Sequence, residues 1–350
     1  LSTKEASLVL SGTLDYFNSV LVTLKSFKRW HPHSTCFVFI CDAYDVSAFK
    51  CEEINDVIFF GLNDIKDERA GFIEAADCFS PMELACLAKY VALKHVVNLP
   101  TSNDTLIFSD LDIWFESCVD PFLSPLEEGV SGVFSAHSLS LNPCGNLIDY
   151  FTFHGLNLGF FALNKNGSKT IPFLDFVIQK LQDLGFWEPP FFSADQAVVN
   201  IAVTKLGDSA RISSLETVNV AYWNIRERAF DVKNGKLFIG EAPLICFHFS
   251  GFDFTRDDLS KHGTVEPSEA VKHIVEEYKL AFDYYADRHF ENCEQLLPTK
   301  NRNFIIRLWK TYRRRKELSR HYVASIVIRY ILFKIFYIPL FKIFRTLIKP

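Results

Sequence analysis

Apolar residues along this chain fall into short uninterrupted runs separated by longer stretches of helical spacing. "ASLVLSG" (6–12) reads as a strand, after which Leu14, Phe17, Val20, Leu21, Leu24 and Phe27 recur at steps of three and four and predict a helix. "TCFVFICD" (35–42) and "NDVIFFG" (55–61) are two more strands. "SPMELACLAKYVALKHV" (80–96) begins with Ser80 and Glu83 in capping-box spacing and Pro81 at the first helical position, so a helix starts there. Thr105–Ser109 is the next strand. Strands alternating with helices predict βαβ units and a parallel sheet. Beyond Pro121 and Pro125 the rhythm loosens: strands are expected at 129–136, 156–164 and 244–251, and helices at 171–185, 193–207 and 268–290. No internal repeat is visible.

The fourth strand ends in Asp110 and Asp112, one residue apart. The carboxyl end of a strand is where open α/β sheets place their ligands. Two carboxylates there repel, and burying them without a counter-ion would cost several kcal/mol. A solvated acidic turn is the plain alternative. A divalent cation is the other, and Mg²⁺ or Mn²⁺ suits hard oxygen ligands and usually binds substrate phosphates as well. A metal-bound diphosphate points to a nucleotide-sugar transferase, in which the cation neutralises the departing group. It also leaves open a D-x-D phosphatase with a nucleophilic first Asp. That class usually carries Thr or Val where this chain has Trp114, and has the motif near the chain's start.

Composition changes the picture in one place. The 350 residues are 49% hydrophobic and carry a net charge of −5, enough for a large core. Residues 302–350, however, hold 13 Lys and Arg against the single acid Glu317, or 13 − 1 = +12, leaving the remainder strongly acidic. In this tail Arg320, Lys334, Lys342, Arg345 and Lys349 share about a quarter of a helix circumference, Arg329 lies outside it, and Pro339 is placed to kink it. The apolar runs between charges are far shorter than the ~20 residues that span a bilayer. A basic amphipathic helix lying on an anionic membrane surface is expected, with "RRRK" (313–316) adding attraction. The alternative is a helical hairpin buried between subunits. The dense Ile and Phe argue against nucleic acid as partner.

The nine cysteines show no C-x-x-C and read as reduced, mostly buried thiols. Residues 1–6 lead straight into a strand instead of a secretory signal, although the chain lacks an initiator Met. The sequons at Asn103 and Asn166 would matter only in a secretory compartment. The expected location is cytoplasmic, peripheral on the inner face of a membrane.

"LIFSDLDIWF", "LNLGFFALN", "SADQAVVN", "VAYWNIRER" and "FHFSGFDF" with "LSKH" occur in that order, and each resembles a block of GT-A-fold glycosyltransferases, especially bacterial relatives of glycosyltransferase family 8. The resemblance covers residues 7 to about 265 and leaves out the tail. It implies an α/β fold in which a Rossmann-like nucleotide-binding half (7–116) is fused to a mixed-sheet acceptor half (117–265). A packing helix (266–300) completes the catalytic domain, and the helical basic tail (301–350) follows. It also implies a nucleotide-sugar donor, usually a UDP-sugar, and retention of anomeric configuration, while the membrane location expected of the tail suggests a saccharide or lipid-linked glycan as acceptor. Mn²⁺ or Mg²⁺ would be held by Asp110, Asp112 and His248.

On the donor side the resemblance places Ser11, Gly12 and Tyr16 near the nucleotide, Lys89 near the donor and Lys261 on the diphosphate. Asn157, Asp195 and Gln196 fall on the sugar side, with Asp195 the carboxylate facing the transferred sugar. Read alone, His248 between two Phe is a core histidine, Lys89 a helix-surface charge and Asp195 a first-turn acid favoured by the helix dipole. Gly159 marks a close approach in a strand. Many relatives have Pro where this chain has Leu111. Tyr222, Trp223, Arg226 and Arg228 are candidates for an acceptor-side loop, and equally for packing. A silent nucleotide-sugar-binding protein of the same fold is the remaining alternative.

Overall fold

The computed structural model describes residues 5–47, 49, 51–76, 79, 81–139, 155–184, 195–255, 258–261 and 265–286. The basic tail, Ser80 of the expected capping box and Ser193 lie outside these residues.

The chain begins with β1 (Ala6–Gly12), α1 (Phe17–Lys28), β2 (Cys36–Ile40), β3 (Val57–Phe60), α2 (Arg69–Ala76), α3 (Pro81–Val97) and β4 (Thr105–Ser109). β3, β2, β1 and β4 lie side by side and parallel, with Leu8 opposite Cys36 and Ile107. Both faces of these strands are covered, which is why they read as continuous apolar runs. Leu8, Leu10, Val38, Ile40 and Ile107 pack into one core with α1. Val9, Phe37, Phe39, Leu106 and Phe108 pack into the other with α2 and α3. Neighbours along a strand thus feed opposite layers.

The second half adds β5 (Ile113–Phe115), α4 (Asp120–Glu127), β6 (Gly132–Ala136), β7 (Leu156–Asn164), α5 (Thr170–Leu184), α6 (Gln196–Leu206) and β8 (Ala210–Ser213). β7 pairs antiparallel with both β4 and β6, completing a seven-stranded sheet of order β3-β2-β1-β4-β7-β6-β8. The sheet therefore runs continuously across the expected boundary at residue 116. It is mixed, with β7 as the reversed strand, as expected of a parallel nucleotide-binding half fused to a mixed-sheet half. Pro121 does not prevent α4, because the first turn needs no amide donor there.

Two small sheets follow from β9 (Val220–Ala221), β10 (Phe230–Lys233), β11 (Lys236–Ile239), β12 (Ala242–Pro243) and β13 (Cys246–His248): β5-β13-β9 and β10-β11-β12. α7 (Glu269–Tyr285) packs on α1, and Phe249 stacks on Tyr278 with centroids 4.1 Å apart. Cys36, Cys41, Cys86 and Cys246 are buried thiols, as expected. Among the described residues no helix is long and apolar enough to cross a membrane.

Candidate active site

β4 delivers the acidic pair to the carboxyl end of the central sheet, and backbone pairing then divides the two residues between partners. The Asp110 amide donates to Gly159 O at 2.7 Å, so Asp110 still belongs to the β4–β7 ladder. The chain next turns into β5, whose Ile113 sits opposite His248 of β13, while the Phe249 amide donates to Asp112 O at 2.7 Å. Between the two aspartates, Leu111 packs onto Gly12: a Cβ there would lie 2.4 Å from Leu111 Cδ1. Thr23 Oγ1 donates to Leu111 O at 2.7 Å and fixes the turn to α1. Leu111 thus packs against the end of β1, where Gly12 leaves room for its side chain.

Asp110, Asp112 and His248 come together, their ligand atoms all within 4.8 Å of one another. His248 Nε2 lies 3.0 Å from Asp112 Oδ1. On the other side Lys89 Nζ lies 3.1 Å from Asp110 Oδ1 and 3.5 Å from Asp195 Oδ2, and it donates to Leu158 O. Tyr90 donates its hydroxyl to Asp195 Oδ2 at 2.6 Å. Two expectations read from residues in isolation fail here. Lys89 is buried and is not a helix-surface charge. Asp195 stands at the N-cap of α6 without a side-chain cap bond, its carboxylate turned instead to Lys89 and Tyr90.

The electrostatics follow from burial working against partners. Burial pulls the Lys89 ammonium down, but Asp110 and Asp195 outweigh it and raise its pKa. Burial pushes the Asp110 carboxyl above its ordinary range, opposed by Lys89 and reinforced by Asp112. Burial also pushes Asp112 up, yet the charge and hydrogen bond of His248 prevail and its pKa is lowered. The His248 imidazole is raised by Asp112 despite its burial. The acidic pair is thus not bare: Lys89 supplies part of the counter-charge that the sequence alone assigned to a metal, and the His248 imidazole faces Asp112.

The donor set nonetheless fits a divalent cation. Two carboxylates supply hard oxygens and an imidazole supplies nitrogen, a combination that suits Mn²⁺ and is compatible with Mg²⁺. A second cluster, His31, Cys118 and Asp120, is less suited, because His31 Nε2 already accepts the Val119 amide at 3.1 Å.

The remaining expected residues divide. Asn157 and Gln196 border the site, but Asn157 Oδ1 accepts from the Gly159 amide and from Asn219, and Gln196 Nε2 donates to Leu156 O at 3.0 Å. Ser11 and Gly12 end β1, and Tyr16 is 62% exposed just beyond, open to a flat ligand. Lys261 lies on an exposed turn, its amide bonded to Gly251 O at 2.9 Å. Gly159 is explained by His248, whose Cε1 would lie 2.4 Å from a Cβ at that position. Trp223 stacks on His137 at 4.9 Å and meets His248 edge-on at 5.3 Å, walling the site. Arg228 is removed as an acceptor contact: it is buried, with Nε donating to Glu216 O and Nη1 to Asn224 O. Arg226 is exposed.

Three residues were not singled out in the sequence. Tyr90 lies next to Lys89 in the α3 pattern and reads there as core. Asp42 follows β2 beside Gly12 and accepts the Leu14 amide at 2.9 Å, and burial pushes its carboxyl up to about 6. Asn219 bridges Asn157 and His248.

No family model matches the chain. The uncharacterized protein YfnD of Bacillus subtilis (strain 168) is 33% identical over 72 residues, which are 20% of this chain and only 23% of that protein's length. Solved structures similar to it include the galactosyltransferase LgtC in complex with donor and acceptor sugar analogs, at 12% identity and TM-score 0.47, covering 79% of this chain and 95% of that one. The glycosyltransferase GlyE of Streptococcus pneumoniae TIGR4 is similar at 13% identity and TM-score 0.45, covering 81% and 64%. Mouse xyloside xylosyltransferase 1 is similar at 15% identity and TM-score 0.41, covering 70% and 97%.

Proposed function

We propose that this protein is a glycosyltransferase that moves a sugar from a nucleotide-sugar, a UDP-sugar by preference, to a saccharide or lipid-linked glycan acceptor with retention. The observation that carries the reading is the convergence of Asp110, Asp112 and His248 at the end of β4, with a second, cation-backed carboxylate, Asp195, reached through Lys89. Asp110, Asp112 and His248 hold Mn²⁺ or Mg²⁺. The bound cation would neutralise charge that builds on the leaving diphosphate.

The protein's own groups do the rest. Ser11, Asp42 and Tyr16 frame the nucleoside at the ends of β1 and β2, and Lys261 meets the diphosphate. Lys89 bridges the Asp110 and Asp195 carboxylates, and the Asp195 carboxylate stabilises positive charge at the sugar carbon. The leaving phosphate takes the acceptor's proton.

The test is incubation with a panel of nucleotide sugars and Mn²⁺, with free sugar and nucleotide followed by chromatography. Slow release of one sugar that stops on chelation is the expected result. Binding without release would support a silent binding protein instead, and phosphate release from a simple monoester would support the phosphatase.

The tail's composition supports a peripheral site on the inner face of an anionic membrane, and that placement in turn suggests a lipid-linked acceptor. Deleting residues 302–350 is expected to abolish sedimentation with anionic vesicles while leaving hydrolysis of a soluble donor intact. Sedimentation that survives the deletion would overturn the assignment.

A further inference from the structure

Asn219 is fully buried and sits in the left-handed region at φ 52°, where Asn, Asp and Gly are tolerated best. Its backbone is held at both ends: the amide donates to Cys246 Sγ, and the carbonyl accepts from Asn224 Nδ2. The side chain joins a chain of hydrogen bonds whose direction is forced from one end. The Gly159 amide can only donate, and at 2.9 Å it fixes the accepting atom of Asn157 as Oδ1. That same oxygen takes a second bond at 2.8 Å from Asn219, so the atom facing it is Nδ2. Asn219 therefore turns Oδ1 toward His248 Nδ1, 3.0 Å away, and an oxygen there requires Nδ1 to carry the proton.

We infer that Asn219 positions His248 as a metal ligand, holding Nδ1 as the donor so that Nε2 is the ring nitrogen presented to the cation beside Asp112. The inference rests on the metal-dependent reading given above and deepens it. A histidine ligand takes its tautomer and ring orientation from the partner of its other nitrogen, and losing that partner typically weakens metal binding 10- to 100-fold. The chain also has a structural logic. It starts at Gly159, whose carbonyl accepts the Asp110 amide, so one segment of β7 aligns one carboxylate ligand through its backbone and the imidazole ligand through Asn157 and Asn219. Gly159 keeps the contact open by having no side chain. Asn219 touches none of the reacting atoms and is a positioning residue.

Two variants test this. Asn219→Gly removes the acceptor and keeps a residue suited to the backbone angle; Asn219→Asp gives up the donor to Asn157 but keeps an acceptor oxygen toward His248. Mn²⁺ binding to the full chain, read from the free-ion signal in electron paramagnetic resonance, is expected to weaken about 10- to 100-fold in the glycine variant and much less in the aspartate variant. Nuclear magnetic resonance of ¹⁵N-histidine protein with Mg²⁺, assigned with His248→Gln, is expected to show His248 protonated at Nδ1 in the wild type and mixed tautomers in Asn219→Gly. Wild-type affinity in the glycine variant would overturn the inference, as would losses in both variants that track lost thermal stability. A wild type that binds no Mn²⁺ would instead overturn the metal reading. The tautomer, measured where the imidazole is neutral, would then still decide whether Asn219 sets it.

Discussion

Asp112→Asn is expected to lower metal-dependent sugar release by about a thousandfold or more, while leaving the unfolding midpoint in urea close to that of the wild type. The size follows from what is removed. A cation opposite a leaving diphosphate contributes several kcal/mol to the transition state, and each 1.36 kcal/mol is a factor of ten. The fold control follows from the surroundings. The Asp112 side chain is 36% exposed, and its backbone carbonyl, which holds Phe249, is untouched by the change. An amide also keeps an oxygen toward His248 Nε2. The histidine nonetheless loses the carboxylate that raises it, so its protonated form becomes less favoured. Release by chromatography and binding of Mn²⁺ should fall together. A variant that hydrolyses within tenfold of the wild type would mean that the acidic pair serves the fold alone.

Much of the central sheet is legible in the sequence because its strands are buried on both faces, so that β1, β2, β4 and β7 appear as apolar runs bounded by polar residues. Thr105–Ser109 and Leu156–Asn164 were readable to the residue. β8, β9 and β12 were not, because strands of two to four residues offer too few positions for any period to emerge. The same contrast holds within the site. Asp110 and Asp112 announce themselves by proximity in the chain, and His248 and Asp195 by resemblance. Asn219 gives no such signal: it is one polar residue in a turn, and its meaning depends on Asn157 and His248, both distant in sequence. Tyr90 was masked by its place on the apolar face of α3. For Asp195, the local and the tertiary reading competed, and the buried lysine opposite decided between them.

That lysine carries the other large expected effect. Lys89→Met fills nearly the same volume but leaves the buried Asp195 and the half-buried Asp110 facing each other without their shared cation. Removing one partner of a buried ion pair typically costs about 3–5 kcal/mol, and a loss of that order in urea unfolding at neutral pH is expected. The loss should depend on pH in a definite direction. The Asp110 carboxyl in the folded protein already titrates above its ordinary 3.8 because of burial, with Lys89 opposing the rise. Without Lys89 the folded carboxyl holds its proton more strongly still, whereas the unfolded one ionises near 3.8. Over the interval between those values the folded state binds more protons, so the variant loses stability as pH rises and recovers it on acidification. Mn²⁺ should restore part of the deficit, since a ligand that binds only the folded protein stabilises it by about 2.7 kcal/mol at a hundred times its dissociation constant. The same cation should bind the variant more tightly than the wild type, because the neighbouring positive charge is gone. A deficit that is constant from pH 4 to 8 and indifferent to Mn²⁺ would show that Lys89 contributes packing alone, and that the site's charge is balanced by some other group.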